Sequence, residues 1–437
     1  MLHLQLWFYA ILYTLSVFLY LPFFLYRVAV QDKSLTNLIK RFSPPVAQPA
    51  SNPPGSTLWI HAVSVGEVKA VEPLVRALAT DSRKLFISTI TDTGQGLARS
   101  LFGDQAQVFY FPLDWQWLSR LYLRRIRPSA VLLVETEIWP GFISAADRLD
   151  IPILVVNGRI SDHSFRRYQR IRFFLGPLLK RMSHFCMQAR QDKERILKLG
   201  APADRVNQMG NLKYDYQLIE NQEKTGMVER MEEILKPTAD DLLWICGSTR
   251  EGEEKILLEV FESLNQEFPA LRMLLAPRHP HRAVGISRLV KTRPFSSLRS
   301  SQLDSHTAAP PQILILDSIG ELAYLYSLAD VVFVGGSLVA TGGHNIIEVA
   351  YFAKPILFGP HMENFKEISS TFLKSYAALQ VQSGEELRAK VHDLLRDAST
   401  RKWLGRNARK VIRHNQGAVE RTAHIVRQYV ERPEKEV

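Results

Sequence analysis

Five short segments of this chain place acidic, basic or glycine residues where a buried strand is predicted to end. Such residues are candidates for chemistry, because ligands of open α/β sheets bind beyond the carboxyl ends of the strands. The segments cover residues 63–67, 134–140, 210–213, 276–280 and 335–348. Together they offer carboxylates for proton transfer, a lysine and an arginine for anions, and a glycine-rich loop for a phosphate.

Glu67 closes the first segment, which reads Val63-Ser64-Val65-Gly66-Glu67. The run before it predicts a strand and the apolar spacing after it predicts a helix, so Glu67 falls in the first turn of that helix. Gly66 is expected to let the backbone turn tightly there. A carboxylate in this position is a candidate for proton transfer, but it could also simply complement the helix dipole, an effect of about 0.3–1 kcal/mol.

The next two segments add ionisable groups to the same half of the chain. Glu135 and Glu137 come at the end of a predicted strand, and Lys213 follows Gly210 and Asn211. A lysine here offers positive charge to an anionic substrate. These three side chains join Glu67 as candidates for one site.

The fifth segment is the most specific of the five. Its glycine-rich loop leads from a buried strand into a helix, an arrangement that presents backbone N–H groups to an anion. The spacing matches neither the dinucleotide-binding nor the Walker pattern. Asn345 and Glu348 could form a capping box, but the extra glycines and His344 favour a binding role. The spacing from Ser248 to Glu251 also fits a capping box, and there a structural and a binding role stay open.

The fourth segment reads Pro277-Arg278-His279-Pro280 and follows a predicted strand. Arginine presents a fixed fork of donors that suits a phosphate. The histidines at 279, 281 and 344 have no spacing typical of a metal site. We therefore expect no metal.

The composition narrows the possible partners. The net charge is +11, which is compatible with a nucleic acid, an anionic membrane or an acidic substrate. No nucleic-acid-binding module is recognisable, so we expect no nucleic acid. The positive charge gathers in two stretches, 120–127 and 166–181, where large apolar residues accompany the arginines. This mixture suits anionic lipid headgroups, although a solvated basic helix face would have the same composition.

The first 26 residues contain no Lys, Arg, Asp or Glu. Residues 6–26 are long enough to cross a bilayer as a helix, and they lack the features of a cleaved signal peptide. Arg27, Lys33, Lys40 and Arg41 follow and predict that the bulk of the chain is cytoplasmic. Aromatic residues and Pro22 leave open a helix lying in the interface, and a core helix of a soluble domain is a third alternative.

The rest of the chain alternates strand-like and helical patterns, which predicts parallel sheets covered by helices on both faces. Both cysteines, Cys186 and Cys246, lie in apolar stretches and are interpreted as buried strand residues of a reducing compartment. Strands are predicted at 59–64, 85–90, 108–111, 131–135, 153–157, 184–188, 242–246, 272–276, 313–316, 331–334, 355–358 and 379–381.

The organisation that follows is an α/β fold with two Rossmann-like domains. We predict a membrane helix at 1–30, a first Rossmann-like domain at 31–215, a linker at 216–240, a second Rossmann-like domain at 241–400 and terminal helices at 401–437. The Pro- and Ser-rich residues 43–56 are interpreted as a linker or loop, and 298–311 as a mobile loop.

Taken in order, these motifs resemble those of the lipid A 3-deoxy-D-manno-octulosonic acid (Kdo) transferases. The matching stretches are Val-Ser-Val-Gly-Glu, Glu-Thr-Glu-Ile-Trp-Pro, Gly-Asn-Leu-Lys, Pro-Arg-His-Pro and Gly-Gly-His-Asn-x-x-Glu. The resemblance runs from about residue 59 to residue 365 and includes the N-terminal membrane segment. It implies a GT-B glycosyltransferase that needs no metal or other cofactor. Its two Rossmann-like domains would face a central cleft, with residues 31–215 as the acceptor-binding domain and residues 241–400 as the CMP-sugar-binding domain.

The resemblance also implies substrates and roles. The enzyme would move Kdo from CMP-Kdo to the lipid A precursor, lipid IVA, at the cytoplasmic face of the inner membrane, with inversion at the anomeric carbon. Glu67 would be the general base, and Glu135 and Lys213 would support the transition state. The residues implied for CMP binding are Pro277, Arg278, Ile319, Gly320, Glu321, Asn345, Ile346, Ile347 and Glu348.

The chain departs from the family pattern at two places. Asn345-Ile346-Ile347-Glu348 replaces the usual Asn-Pro-Leu-Glu, and Arg250 stands where a histidine is common. Neither change removes a charged ligand for CMP. Two alternatives remain. One is a GT-B transferase that uses a UDP-sugar, and the other is an inactive membrane scaffold of the same fold. The sequence leaves open the number of Kdo units added, the preferred acceptor acylation, the oligomeric state and whether the first helix spans the membrane.

Overall fold

The computed structural model describes residues 2–31, 35–45, 57–79, 83–216, 222–236, 238, 240–303 and 310–431. The chain forms two compact units. The first comprises Met1–Asp215 together with Asn415–Val437, and the second comprises Tyr216–His414. Lys33, most of the segment 43–56, the start of the predicted linker and residues 304–309 of the predicted mobile loop lie outside the described residues.

The first unit is built on a seven-stranded sheet in which every pairing is parallel. Its strands are β1 Thr57–His61, β2 Lys84–Thr89, β3 Ala106–Tyr110, β4 Ala130–Val134, β5 Ile153–Gly158, β6 His184–Met187 and β7 Val206–Gln208. Its helices are α1 Leu2–Gln31, α2 Leu35–Lys40, α3 Val65–Leu78, α4 Asp92–Phe102, α5 Gln116–Ile126, α6 Pro140–Asp147, α7 Asp162–Arg170, α8 Arg172–Leu179 and α9 Arg190–Leu199.

The first sheet is buried on both faces, which explains why its strands are apolar without alternation. Trp59 belongs to the core on one face, while its neighbours Leu58 and Ile60 belong to the core on the other. Successive residues of a strand point to opposite faces, so one strand contributes to two cores. The sheet order is β3-β2-β1-β4-β5-β6-β7.

The second unit repeats this architecture with a second parallel seven-stranded sheet, ordered β10-β11-β9-β8-β12-β13-β14. Its strands are β8 Leu242–Thr249, β9 Leu271–Pro277, β10 Ser297–Arg299, β11 Ile313–Ile315, β12 Val331–Val334, β13 Ile356–Phe358 and β14 Leu379–Gln380. Its helices are α10 Gln222–Leu235, α11 Glu253–Asn265, α12 Ala283–Val290, α13 Leu322–Leu325, α14 Ile347–Tyr351, α15 Lys366–Lys374, α16 Gly384–Arg396 and α17 Ala398–Asn415.

All twelve predicted strands are present, with ends that differ by up to three residues. Two short strands, β7 and β10, were not predicted. Part of the segment predicted as a mobile loop is in fact β10 and a 3₁₀ turn at Ser300–Gln302. Both missed strands contain three residues with little apolar content, so they carry no periodic signal, and their pairing with β6 and β11 defines them.

The last helix, α18 Ala418–Val430, returns to the first unit and packs on α3 and β4. Asp215 accepts hydrogen bonds from the N–H groups of Gly417 and Val419 at 2.5 Å each, which ties this return to the end of the first chain segment. Residues 401–437 were predicted as one region of terminal helices, so the return of α18 to the first unit was not predicted.

Helix α1 is the one helix among the described residues that is long and apolar enough to cross a membrane, by length and composition. Many of its large apolar side chains are exposed, among them Trp7, Phe18 and Leu19. Exposed surface of this kind indicates membrane association.

Candidate active site

The carboxylates Glu67 and Glu135 lie at the point where the strand order of the first sheet reverses. Glu67 is in the first turn of α3, directly after β1, and Glu135 is the first residue after β4. Strands β1 and β4 are paired neighbours, although the connection from β1 leads away to β2. Such switch points are where open α/β sheets bind their ligands.

The side chain of Glu67 is largely buried, with 8 % of its surface exposed. It accepts hydrogen bonds from the backbone N–H of Val63 at 2.7 Å and from the hydroxyl of Ser64 at 3.3 Å. Burial raises the pKa of Glu67 to about 8, with the charges of Glu135 and Glu137 adding to the increase and the two hydrogen bonds opposing it. A carboxyl whose pKa lies near neutral pH is suited to proton transfer.

The structure corrects the explanation of Gly66. This residue is helical, within α3, and its φ is not positive. A Cβ added to Gly66 would meet only the Ser64 hydroxyl, at 3.7 Å. The expected tight turn is therefore wrong, and a Cβ at this position would make only an ordinary van der Waals contact.

Glu135 has a left-handed backbone, with φ of 59°. Non-glycine residues adopt this conformation at a cost of about 1–3 kcal/mol, and they cluster at functional sites. The following residue, Thr136, anchors the turn, because its hydroxyl donates to the Arg159 carbonyl at 2.5 Å and accepts from the Arg159 N–H at 3.1 Å. Burial also raises the pKa of Glu137, with Glu135 contributing.

Lys213 lies in a 3₁₀ turn, Leu212–Asp215, that packs against α3. The side-chain oxygen of Asn157 accepts from the Leu212 N–H at 3.0 Å. The Asn211 amide donates to Gln188, and Gln188 donates to the Asn157 carbonyl, each at 2.9 Å. The first unit thus brings the elements that carry Glu67, Glu135 and Lys213 to neighbouring positions.

Two positioning residues in this network, Asn157 and Gln188, were not singled out from the sequence. Asn157 also has a left-handed backbone, with φ of 54° at the end of β5. The one available signal in the sequence is an amide side chain at the end of a buried strand. This signal is weak, because asparagines and glutamines are common along the chain.

In the second unit, the predicted CMP-binding residues follow three strands of one sheet. Pro277 and Arg278 come at the end of β9, residues 319–321 follow β11, and residues 345–348 lie beyond the loop that follows β12. In the order β11-β9-β8-β12, strands β11 and β9 are adjacent, β8 lies between β9 and β12, and the strand order reverses between β8 and β12.

The first residues of the glycine-rich loop do not have the predicted role of binding a ligand anion. The N–H groups of Gly336, Ser337 and Leu338 donate to the fully buried carboxylate of Glu253, at 2.7–2.9 Å. These three groups therefore serve an internal anion. Gly335 is required at this place, because an added Cβ would lie 2.7 Å from the Thr249 Cα.

Asn345 and Glu348 contact each other at the start of α14. The Asn345 side chain accepts from the Ile347 N–H at 3.1 Å and donates to the Glu348 carboxylate at 3.2 Å. Asn345 lies one residue before the N-cap of α14, which is Ile346, so the capping box with Asn345 as the cap is wrong. The capping box proposed for Ser248 to Glu251 is wrong, because α11 begins at Glu253 with Gly252 as its N-cap.

Positive charge concentrates where β8 and β9 end. Arg250 follows β8, and its guanidinium contacts the His279 ring nitrogen at 3.0 Å. Burial and the charges of Arg250 and Arg278 lower the pKa of His279. The Arg250 Nε is buried with no partner in the part of the chain that the structure describes. Arg250 was not predicted as a binding residue from the sequence, whereas in the structure its charge lies close to that of Arg278.

Ile319 and Gly320 form an exposed turn, in which Gly320 has φ of 87°. Glu321 accepts a hydrogen bond from Ser318 and lines a cavity of about 490 Å³. The opposite wall of this cavity is formed by α10, including Arg230. Within the described residues, no group of three or more His, Cys, Asp or Glu side chains has an arrangement that could hold a metal ion.

Comparison with known proteins defines the class. The chain has a TM-score of 0.55 with a crystal structure of a glycosyltransferase from Rickettsia africae, at 13 % identity, covering 86 % of this chain and 99 % of that one. Together with the two parallel seven-stranded sheets, this likeness shows that the chain has the GT-B fold.

Sequence relatives then define the family. The profile of the 3-deoxy-D-manno-octulosonic-acid transferase (kdotransferase) family matches residues 36–216. A 3-deoxy-D-manno-octulosonic acid transferase from Haemophilus influenzae is 35 % identical, covering 88 % of this chain and 89 % of that protein. A 3-deoxy-D-manno-octulosonic acid transferase from Bordetella pertussis is 30 % identical, covering 85 % of this chain and 87 % of that protein. The chain belongs to the 3-deoxy-D-manno-octulosonic acid transferase family.

Proposed function

We propose that this protein transfers Kdo from CMP-Kdo to a hydroxyl of the lipid A precursor, with Glu67 as the general base. The observation that carries the proposal is the buried Glu67 carboxyl at the switch point of the first sheet, whose pKa of about 8 lies in the range of a working base. Family membership supports the choice of sugar.

The reaction balances without a further reactant. Glu67 removes the proton of the acceptor hydroxyl, the oxygen attacks the anomeric carbon of Kdo, and the bond from that carbon to the CMP phosphate breaks with its electrons on the phosphate. CMP is a good leaving group, so the main demand is activation and alignment of the acceptor hydroxyl. Attack from the face opposite the leaving group inverts the anomeric carbon.

Glu135 and Lys213 support this step in the proposal. Lys213 offers a positive charge to a donor that carries both a phosphate and a sugar carboxylate. Glu135 contributes through its charge, which helps to hold the Glu67 proton. The left-handed backbone of Glu135 supports a functional role, because strain of this kind is otherwise selected against.

The donor site in the proposal comprises Pro277, Arg278, residues 319–321 and residues 345–348. Arg278 is exposed beside Arg250 and His279, and this cluster supports the binding of an anion. A carboxylate such as Glu348 suits ribose hydroxyls. The reaction as written is independent of metal ions, so activity in EDTA should equal activity in buffer.

The acceptor side of the proposal includes anionic lipids of the inner membrane at its cytoplasmic face. Exposed apolar residues of α1 are joined by Trp117, Leu121 and Phe173 on α5 and α8. Exposed arginines accompany them at 124, 125, 166, 167, 170 and 172. Apolar and basic groups together favour an anionic membrane surface over water.

Mass spectrometry of the product tests this function. Purified protein would be incubated with CMP-Kdo and a detergent-solubilised tetraacylated glucosamine disaccharide. We expect the mass of at least one Kdo residue to be added and CMP to be released in equal amount. Thermal shift with CMP and UDP provides a second readout, because a ligand stabilises the protein that binds it. Stabilisation by UDP but not CMP, with no Kdo product, would contradict the proposal and favour a UDP-sugar transferase.

A further inference from the structure

Helix α1 is joined to the first unit by polar contacts in the middle of its apolar stretch. The Tyr9 hydroxyl donates to the Asp114 carboxylate at 2.8 Å, and the Tyr13 hydroxyl accepts from the Asp114 N–H at 3.1 Å. The next residue, Thr14, accepts from the Trp115 indole N–H at 2.9 Å. These contacts define one side of α1, residues 9, 13 and 14, that faces the protein.

Aromatic packing reinforces the same side of α1. The ring of Tyr9 stacks on Phe174 of α8 at 5.9 Å, and Tyr13 meets the edge of Trp115 at 6.1 Å. Leu6 and Tyr13 pack against the core of the first unit. A helix that only anchored the protein to a bilayer would not require this set of specific contacts.

Asp114, the partner of Tyr9, is itself built into the protein. Its side chain is 2 % exposed and accepts from the N–H groups of Gly141 and Phe142, at 3.0 and 2.7 Å, in the first turn of α6. The approach is close, because a Cβ on Gly141 would lie 2.3 Å from the Asp114 carbonyl oxygen. Burial raises the pKa of Asp114 to about 6, against the effect of these hydrogen bonds.

The start of α6 in turn fixes one end of a catalytic segment. Residues 135–139, which include Glu135 and Glu137, span the interval between the end of β4 and the beginning of α6 at Pro140. The β4 end is held by the sheet, where the Glu135 N–H donates to the Val156 carbonyl at 2.9 Å. The α6 end is held by Asp114, and Asp114 is held by Tyr9.

We propose that α1 is a fixed part of the catalytic unit, and that Asp114 is a positioning residue through which α1 sets the place of the 135–139 segment. The inference rests on the proposed function in taking this segment as part of the active site. It also requires α1 to lie along the unit rather than cross a bilayer, because Tyr9 and Thr14 lie inside the candidate span, Leu4–Phe23, and are hydrogen-bonded to Asp114 and Trp115.

The test uses the full-length chain in detergent micelles, where no bilayer contributes to the rate. Tyr9→Phe removes one hydroxyl and keeps the ring. We expect kcat to fall roughly threefold to tenfold with little change in acceptor KM, since each 1.36 kcal/mol of lost transition-state stabilisation is a factor of ten. Amide hydrogen exchange over residues 139–147 should become faster, while the thermal shift with CMP stays unchanged.

Ser16→Ala is the matched control, because it removes an exposed hydroxyl that bonds only within α1. Asp114→Asn is a second variant and should change kcat and exchange in the same direction. The inference is overturned if Tyr9→Phe matches Ser16→Ala in both kcat and exchange, or if only acceptor KM changes. Glu67→Gln, measured in parallel, separates the two proposals. Full activity of this variant would refute the role of Glu67 as general base. The exchange data for Tyr9→Phe would still test whether α1 positions the start of α6.

Discussion

At the scale of single residues, the protonation of Glu67 decides whether this site can do chemistry. The side chain of Glu67 has lost most of its solvent and faces two other acidic side chains. Its proton is therefore retained to about pH 8, well above the range of an exposed glutamate. A base of this strength is able to deprotonate a sugar hydroxyl during attack, provided that it begins the cycle ionised.

This pKa has a consequence for stability. A carboxyl whose pKa is higher in the folded protein than in the unfolded chain makes folding weaker as pH rises from about 4.5 to about 8. Glu67→Gln removes this effect, so its melting temperature should match that of the wild type near pH 4 and exceed it increasingly up to pH 8. Thermal unfolding across this range checks the prediction, and a constant difference at all pH values would contradict it.

Arg250 is a second residue whose role can be tested alone. Its guanidinium lies beside Arg278 and His279, in a cluster suited to the anionic groups of the donor. A hydrogen bond to a charged group contributes about 1.5–3 kcal/mol, so Arg250→Ala should weaken CMP-Kdo binding by about tenfold or more. Isothermal titration calorimetry provides the measurement, with the exposed Arg288→Ala of the same unit as control. Equal affinities for the two variants would exclude Arg250 from the donor site.

At the scale of elements, the ends of the strands determine the site. The sequence was sufficient to predict the twelve main strands and the segments 63–67, 134–140 and 276–280 at their ends. It was not sufficient for β7 and β10, which are short edge strands defined by their pairing. Nor could it indicate the left-handed backbones of Glu135 and Asn157, because both residues are hydrogen-bonded to distant parts of the chain, at Val156 and Leu212.

The glycine-rich loop is a second case in which the local sequence could not predict the contacts that form. Its composition predicts an anion at the backbone N–H groups, and an anion is indeed bound there, but it is the carboxylate of Glu253 from α11. Glu253 lies more than 80 residues earlier in the chain, so no local pattern connects it with the loop. Its role is to hold the loop in place ahead of the residues at 345–348.

Loss of Glu253 should therefore affect both stability and donor binding. Glu253→Ala leaves the N–H groups of Arg250, Gly336, Ser337 and Leu338 without their acceptor in a buried place. We expect a decrease of about 3 kcal/mol or more in the free energy of unfolding of the second unit, together with weaker CMP binding. Calorimetric unfolding with and without CMP measures both. Glu251→Ala, at an exposed position two residues earlier, should change neither, and similar behaviour of the two variants would refute the role of Glu253.

At the scale of the whole molecule, the excess of positive charge has an expected partner in the membrane. The exposed arginines of α7 and α8 lie near the apolar surface of α1, since Tyr9 of α1 stacks on Phe174 of α8. Near an anionic surface each cation contributes about 1 kcal/mol to binding, and added salt weakens this contribution.

Replacing Arg166, Arg167, Arg170 and Arg172 by glutamine should thus weaken binding to vesicles that contain anionic lipid by roughly two to three orders of magnitude at low salt. Co-sedimentation over a range of salt concentrations measures this change. The control replaces four exposed cations of α17: Lys402, Arg406, Lys410 and Arg413. If both quadruple variants lose binding equally, net charge alone explains the attraction and the proposed surface is wrong.

The most direct test of the central claim compares transfer and donor binding in Glu67→Gln. The variant keeps the size of the side chain and can still accept the Val63 hydrogen bond, but it cannot take a proton. We predict that transfer of Kdo from CMP-Kdo, followed by mass spectrometry, falls by a factor of about 100 or more, while the affinity for CMP stays at the wild-type value. Transfer at the wild-type rate, with CMP affinity unchanged, would show that Glu67 is not the base.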